Sequence, residues 1–187
     1  MTNLSVIVMI KLNVADVEES LGKTLDRTHV SIGVDTASRA GICTAWVDKD
    51  KLCLETEFVH IDSTDIYFKY NQLLKSFRSL LNVKDPENYK LVIEDTFFGK
   101  NVNVLKMISR LGMIVYICGH EAGIEDITFI YPTSSRKVIG IKGTLKKADV
   151  HKELTNKLDY EFDDIDIADA VVLALGGLIE VEKEGLL

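Results

Sequence analysis

The spacing of apolar residues changes several times along the chain, and each change marks an element. Leu4–Leu12 has the composition of a strand. Asn13 is placed to cap a helix in which Val14, Val17, Leu21 and Leu25 recur at helical intervals, although Gly22 interrupts it. From His29 the pattern turns to β. His29–Asp35 predicts a strand, Thr36–Ala40 a tight turn, Gly41–Val47 a second strand, Asp48–Asp50 a hairpin loop and Lys51–Ile61 a third strand. Ile66, Tyr67, Tyr70, Leu73, Leu74, Phe77, Leu80 and Leu81 then recur with the period of an amphipathic helix. Asp85–Asn88 is a turn, and the run at 90–94 is a strand apolar enough to be buried on both faces.

A second long helix is expected over Asn101–Leu111, ended by Gly112, with Met113–Cys118 as the fifth strand. Residues 119–131 predict an irregular helix and a short strand at Ile127–Tyr131. Pro132–Ile139 starts a helix at Thr133 or Ser134, Lys142–Lys147 is a loop, and Ala148–Leu158 is a basic amphipathic helix. Ile165–Ile179 is apolar nearly all round, hence a buried helix. The expected fold is α/β: a five-stranded mixed sheet in the order β-β-β-α-β-α-β, flanked by helices. Residues 1–28 form an N-terminal extension, and 29–187 a single domain. A right-handed crossover from the meander to the fourth strand puts the ends of strands one and four at the same sheet edge. That edge carries Asp35 and Glu94.

Composition changes this picture in two places. The chain has 187 residues and a net charge of -7, which argues against a nucleic-acid binder if the charge is spread evenly. It is not. Between Arg136 and Lys152 stand Arg136, Lys137, Lys142, Lys146, Lys147 and Lys152 against one acid, Asp149. Such a strip is either an ordinary solvated helix face or a track for phosphates. Cys43, Cys53 and Cys118 are widely spaced, with no CxxC pair, which suits packing roles and a reducing compartment. No apolar run approaches the ~18 residues of a membrane span, and the opening apolar run lacks the basic flank and cleavage site of a signal peptide.

The acids carry the chemistry. Glu94 closes an otherwise apolar strand, where a buried backbone tolerates no unpaired charge. The carboxyl end of such a strand is where α/β folds place ligands. Asp35 closes the first strand in the same way, before a turn of small residues that leaves room for close approach. An Asp at a turn also has a purely local explanation. Asp166 and Asp169 share one face of the apolar helix, with Cβ atoms roughly 5–6 Å apart; the helix dipole alone would also favour acids there. Bringing four carboxylates together is costly, about 4 kcal/mol per pair some ~4 Å apart at an effective dielectric near ~20. Divalent cations relieve that cost, and an oxygen-only ligand set suits Mg2+ or Mn2+ rather than zinc. Two such ions about 3.5–4 Å apart support phosphodiester hydrolysis. Asp95, adjacent to Glu94 on a strand, faces the opposite way.

Four blocks in this order and spacing carry a resemblance: Gly33-Val34-Asp35-Thr36-Ala37-Ser38, Ile93-Glu94-Asp95-Thr96-Phe97-Phe98-Gly99-Lys100-Asn101, Lys146-Lys147-Ala148-Asp149-Val150 and Asp166-Ile167-Ala168-Asp169-Ala170. Over roughly residues 30–178 the chain resembles RuvC-type Holliday junction resolvases, within the ribonuclease H-like nuclease superfamily. The resemblance implies that Asp35, Glu94, Asp166 and Asp169 ligate Mg2+ or Mn2+, two ions per site, and that Lys147 joins them in catalysis. It implies that Phe97 stands against bases at the junction centre, with Lys100 at the same helix entrance. It further implies that Arg136 or Lys137, together with Lys147, contacts the cleaved strand, and that the helix at 101–111 forms a dimer interface. Lys142 and Lys146 extend that DNA-binding set along the strip. The chain departs from the family in its residues 1–28, and in having Thr-Ala-Ser-Arg where the family often has Pro-Gly and then Ser. Small phage-encoded relatives are similarly divergent.

The expected activity is therefore a divalent-metal-dependent, structure-selective endonuclease that resolves four-way DNA junctions in recombination and repair. Its expected location is the cytoplasm of a bacterial or phage-infected cell, or another reducing intracellular compartment. A junction has two-fold symmetry, so paired cuts call for a homodimer. The alternatives are a ribonuclease H-like nuclease acting on flaps, forks or RNA, and a non-catalytic junction-binding relative.

Overall fold

The computed structural model describes residues 2–4, 7–36, 39–95 and 102–179, and the side chains of these except 2–4, 103 and 104. A mixed sheet runs through the molecule. Its strands are β1 (Thr2–Leu4), β2 (Val8–Asn13), β3 (Val30–Asp35), β4 (Ala40–Asp48), β5 (Lys51–Ile61), β6 (Tyr89–Glu94) and β7 (Asp126–Ile130). The spatial order is β1-β5-β4-β3-β6-β7, with β2 also paired to β5. Strands β3, β4 and β5 form an antiparallel meander, while β6 runs parallel to β3 and β7 parallel to β6. The helices are α1 (Val14–Leu21), α2 (Ile66–Leu80), α3 (Val102–Glu121), α4 (Pro132–Val138), α5 (Lys147–Leu158) and α6 (Ile165–Leu178). None of the described helices is long and apolar enough to cross a membrane.

The sheet separates two cores. On one face Ile32, Val34, Leu91 and Ile93 pack under α2 and α3 through Leu73, Phe77, Leu111 and Val115. On the other, Cys43, Ala45, Leu52 and Leu54 pack under α6 together with residues of α1 and α5. Helix α6 is covered on nearly every side, which is why its sequence shows no polar stripe. It lies in backbone contact with the sheet because Gly33 faces it. A Cβ there would come within 2.4 Å of the Ala170 carbonyl oxygen and the Ala174 nitrogen.

The N-terminal segment is more than one strand and one helix. The expected strand at 4–12 is two, β1 and β2, both lying antiparallel along the outer edge of β5. The sheet thus has seven strands rather than the five expected. Covering β5 removes an exposed edge from the meander. Asn13 caps α1 as expected, accepting hydrogen bonds from the Ala15 and Asp16 amides. Gly22 ends α1 in the left-handed region at φ 61, so Leu25 lies beyond the helix, bridged to Ile179.

One expectation is overturned on the other face. Met113–Cys118 is not the fifth core strand; it continues α3, and the fifth core strand is β7. Gly112 does not end the helix. Its missing Cβ makes room for the Phe129 ring, 3.3 Å from where that atom would be, and Gly119 does the same for Leu91 at 2.5 Å. A short apolar run with β-branched residues reads equally well as a strand or a buried helix turn. Here both glycines let α3 settle onto β6 and β7, and that packing decides the matter.

Candidate active site

The sheet register brings the first two acids together. Val34 is paired with Ile93 across the parallel β3–β6 ladder, so Asp35 and Glu94 are the next residues on neighbouring strands. Successive side chains alternate faces. Val34 and Ile93 point into the α2–α3 core, so Asp35 and Glu94 point toward α6. The Thr36 hydroxyl donates to the Glu94 carbonyl at 3.2 Å and ties the two strand ends. Across the gap, the first turn of α6 supplies Asp166 and Asp169. Asp164 caps that helix, accepting a hydrogen bond from the Asp166 amide at 2.8 Å. Gly41, paired with Asp35, lets β4 meet the Asp166 carbonyl, which would stand 2.5 Å from a Cβ there.

One carboxylate oxygen from each of Asp35, Glu94 and Asp169 lies within 4.8 Å of the other two. Asp35 and Asp169 are only 2% and 4% exposed. Asp166 stands outside this triad, at the rim, with its side chain 29% exposed. The Lys147 ammonium, from the first residue of α5, sits among the acids: 3.1 Å from Asp35 Oδ2, 2.8 Å from Asp169 Oδ2 and 3.5 Å from Asp166 Oδ1. Arg136 is also inside. It is 7% exposed, its Nη1 donates to the Leu145 carbonyl, and its Nη2 lies 3.6 Å from Asp169 Oδ1.

The electrostatics are those of a cage with too little positive charge. Burial pushes the Asp35 carboxyl up to about 6; Lys147 opposes the rise, while Asp169 and Asp166 add to it. Burial, followed by the Asp35 charge, pushes Glu94 up to about 8. Burial would lower Lys147, but the carboxylates around it, Asp35 and Asp169 foremost, hold its ammonium well above the usual lysine range. The donor set is all oxygen, which fits a hard divalent ion. The buried Asp169 Oδ2 has the Lys147 ammonium 2.8 Å away and no other hydrogen-bond partner among the described residues. A ligand oxygen with spare coordinating capacity, facing two other acids, is what such an ion requires. Asp35, Glu94 and Asp169 are therefore able to hold one, with Asp166 beside them.

The structure distributes the other expected residues unevenly. Lys137, Lys142 and Lys146 are exposed, whereas Arg136 is buried against Asp169 and does not lie on the strip's surface. Phe97 and Lys100 lie outside the described residues. Sequence reasoning missed Arg39, whose guanidinium pairs with Asp164. No local signal marks it, because its partners come from β5 and α6.

No curated protein sequence matches the chain. Among solved structures, the fold is similar to the Thermus thermophilus RuvC structure, with a TM-score of 0.65 and 18% identity over 79% of this chain and 92% of that one. It is equally similar to T. thermophilus RuvC in complex with Holliday junction substrate, with a TM-score of 0.64 and 18% identity over 79% of this chain and 91% of the other. At that identity the likeness is one of fold. The sequence itself goes further: residues 31–176 match the family of crossover junction endodeoxyribonuclease RuvC. That span runs from β3 into α6 and takes in every acid of the cage, so the chain belongs to the RuvC family.

Proposed function

We propose that the protein is a divalent-metal-dependent endonuclease that resolves four-way DNA junctions as a homodimer. The observation that carries this reading is the convergence of Asp35, Glu94 and Asp169 within 4.8 Å at one sheet edge, beside the cationic start of α5. The Holliday junction held by the structurally similar T. thermophilus protein supports the choice of substrate.

In this reading Asp35, Glu94 and Asp169 would hold the metal, with Asp166 available as a fourth ligand; the family resemblance implies two ions. The metal supplies Lewis-acid charge that offsets the negative charge developing on a phosphodiester under attack by water. Lys147 reaches the same point and, when not paired with acids, offers its ammonium to the scissile phosphate. Arg136 fixes Asp169 from behind. Lys137, Lys142 and Lys146 take neighbouring phosphates and set the strand's register without reading its bases. Phe97 and Lys100 keep the roles the family resemblance gives them, Phe97 wedging at a branch point where unstacking costs least. A symmetric junction presents two equivalent strands, so two copies of the chain suit it.

Asp35→Asn is the direct test. It should abolish cleavage of a labelled four-way junction while leaving junction binding intact in a gel shift. Persistent cutting would remove Asp35 from the chemistry. Parallel flap, fork, duplex and RNA substrates decide the class: cleavage confined to RNA or flaps would refute junction resolution.

A further inference from the structure

Asp166 is the one acid of the four outside the close triad, and Arg39 accounts for where it stands. We propose that Arg39 is a positioning residue: it clamps the first turn of α6 to the sheet and so sets how far Asp166 reaches toward the ion. The inference rests on the metal reading above and deepens it.

Arg39 immediately precedes β4. Its guanidinium carbon lies 3.9 Å from the centre of the Phe58 ring on β5. Nη2 pairs with Asp164 Oδ2 and stands 3.9 Å from Asp166 Oδ2. The other oxygen of Asp164 accepts the Asp166 amide as the cap of α6. A continuous path thus runs from a sheet aromatic, through the guanidinium, to the cap of the helix that carries Asp166 and Asp169. Asp166 itself is held between two cations, Arg39 on one side and Lys147 at 3.5 Å on the other.

The residue type matters. A planar guanidinium can stack on a ring and pair with two carboxylates at once, which a point-like ammonium cannot. The Arg39 side chain is 40% exposed, so its ion pair adds little to global stability. Its effect lies in direction. Without the clamp, the turn that carries Asp166 keeps its backbone contact at Gly41 and the packing of Ile167 in the core, neither of which aims the Asp166 side chain.

The test loosens the clamp from each of its two ends. Arg39→Lys retains the charge but not the fork. Asp164→Asn retains the helix cap, since Asn caps as well as Asp, but loses the ion pair. Both should weaken Mn2+ binding to the DNA-free protein, followed by the EPR signal of free Mn2+, by roughly tenfold, the scale usual for groups that orient metal ligands. The Mg2+ concentration at half-maximal cleavage should rise in parallel, with junction affinity in EDTA unchanged. Phe58→Leu, which leaves every charge in place, should shift Mn2+ affinity in the same direction by a smaller factor. Unchanged Mn2+ affinity in Arg39→Lys and Asp164→Asn, with wild-type binding intact, would overturn the positioning role alone. A loss of junction affinity with a shallower salt dependence would make Arg39 a phosphate contact and overturn it equally. If the wild type binds no Mn2+, the metal reading falls, and this inference with it.

Discussion

Replacing Gly33 with alanine tests how the cage is assembled. Gly33 precedes Asp35 by two residues on β3, so both face α6. The added methyl would lie 2.4 Å from the Ala170 carbonyl oxygen, 2.4 Å from the Ala174 nitrogen and 2.8 Å from Leu173 Cβ. Non-bonded atoms settle about 3.5 Å apart, so helix and sheet must separate by roughly 1 Å. Both sides are backbone, and neither can turn aside. Overpacking of this kind costs about 1–3 kcal/mol. The upper end is expected, because α6 cannot retreat without disturbing the core on its far side. For a chain of this length about 3 kcal/mol corresponds to a Tm lower by roughly 6–12 °C. The same displacement carries Asp169 away from Asp35, and a misplacement of about 1 Å in a catalytic constellation costs on the order of 100-fold in rate. Urea denaturation measures the first effect, and junction cleavage well below the variant's Tm measures the second. Two other glycines calibrate the result. Gly176, inside α6, has its nearest neighbour 4.0 Å from a new Cβ, so Gly176→Ala should gain up to about 1 kcal/mol of helix propensity. Gly22→Ala meets no atom within 4 Å but keeps φ at +61, and should lose about 1 kcal/mol with cleavage unchanged. Wild-type stability in Gly33→Ala would refute the packing argument; a destabilised but fully active variant would refute its link to the site.

Two further outcomes follow from other parts of the molecule. Asp26 is 5% exposed and is bonded to Lys90 at 2.8 Å, His29 at 2.7 Å and the Thr28 hydroxyl at 2.6 Å. Burial would raise its carboxyl, but these partners outweigh it and hold the group well below the usual range. A depressed folded value means its contribution is complete above the unfolded value of about 3.9 and is lost as pH falls below that. Asp26→Asn should therefore cost about 3 kcal/mol at neutral pH, a gap that narrows in denaturation curves below about pH 4; a constant gap down to pH 2 would contradict the assignment. On the basic strip, Lys142→Ala and Lys146→Ala should each weaken junction binding and lower the slope of log affinity against log salt by about 1. Unchanged slopes in titrations over a range of KCl would make the strip an ordinary solvated face.

Much of the site was legible because its chemistry conflicts with its setting. Glu94 and Asp35 stand out as acids closing apolar strands, and Asp166 and Asp169 as acids on a buried helix. Each is an anomaly that local reading detects. Arg39 is not: an arginine in a turn is unremarkable until Phe58 and Asp164 are seen beside it. Arg136 misleads for the converse reason. Its neighbours in the sequence are exposed lysines, but its guanidinium turns inward to Asp169 and the Leu145 carbonyl.

Periodicity states which face of a segment is apolar, and together with the placement of charges it was enough for the order of most elements, the strand-end acids and the cationic run. It does not state what covers that face. Whether Met113–Cys118 is strand or helix was settled by Gly112 and Gly119 meeting Phe129 and Leu91. The nearness of Asp35 to Asp169 was settled by Gly33 admitting the backbone of α6 to the sheet. These outcomes depend on close approach between residues far apart in the chain, and such contacts exist only once the layers have packed.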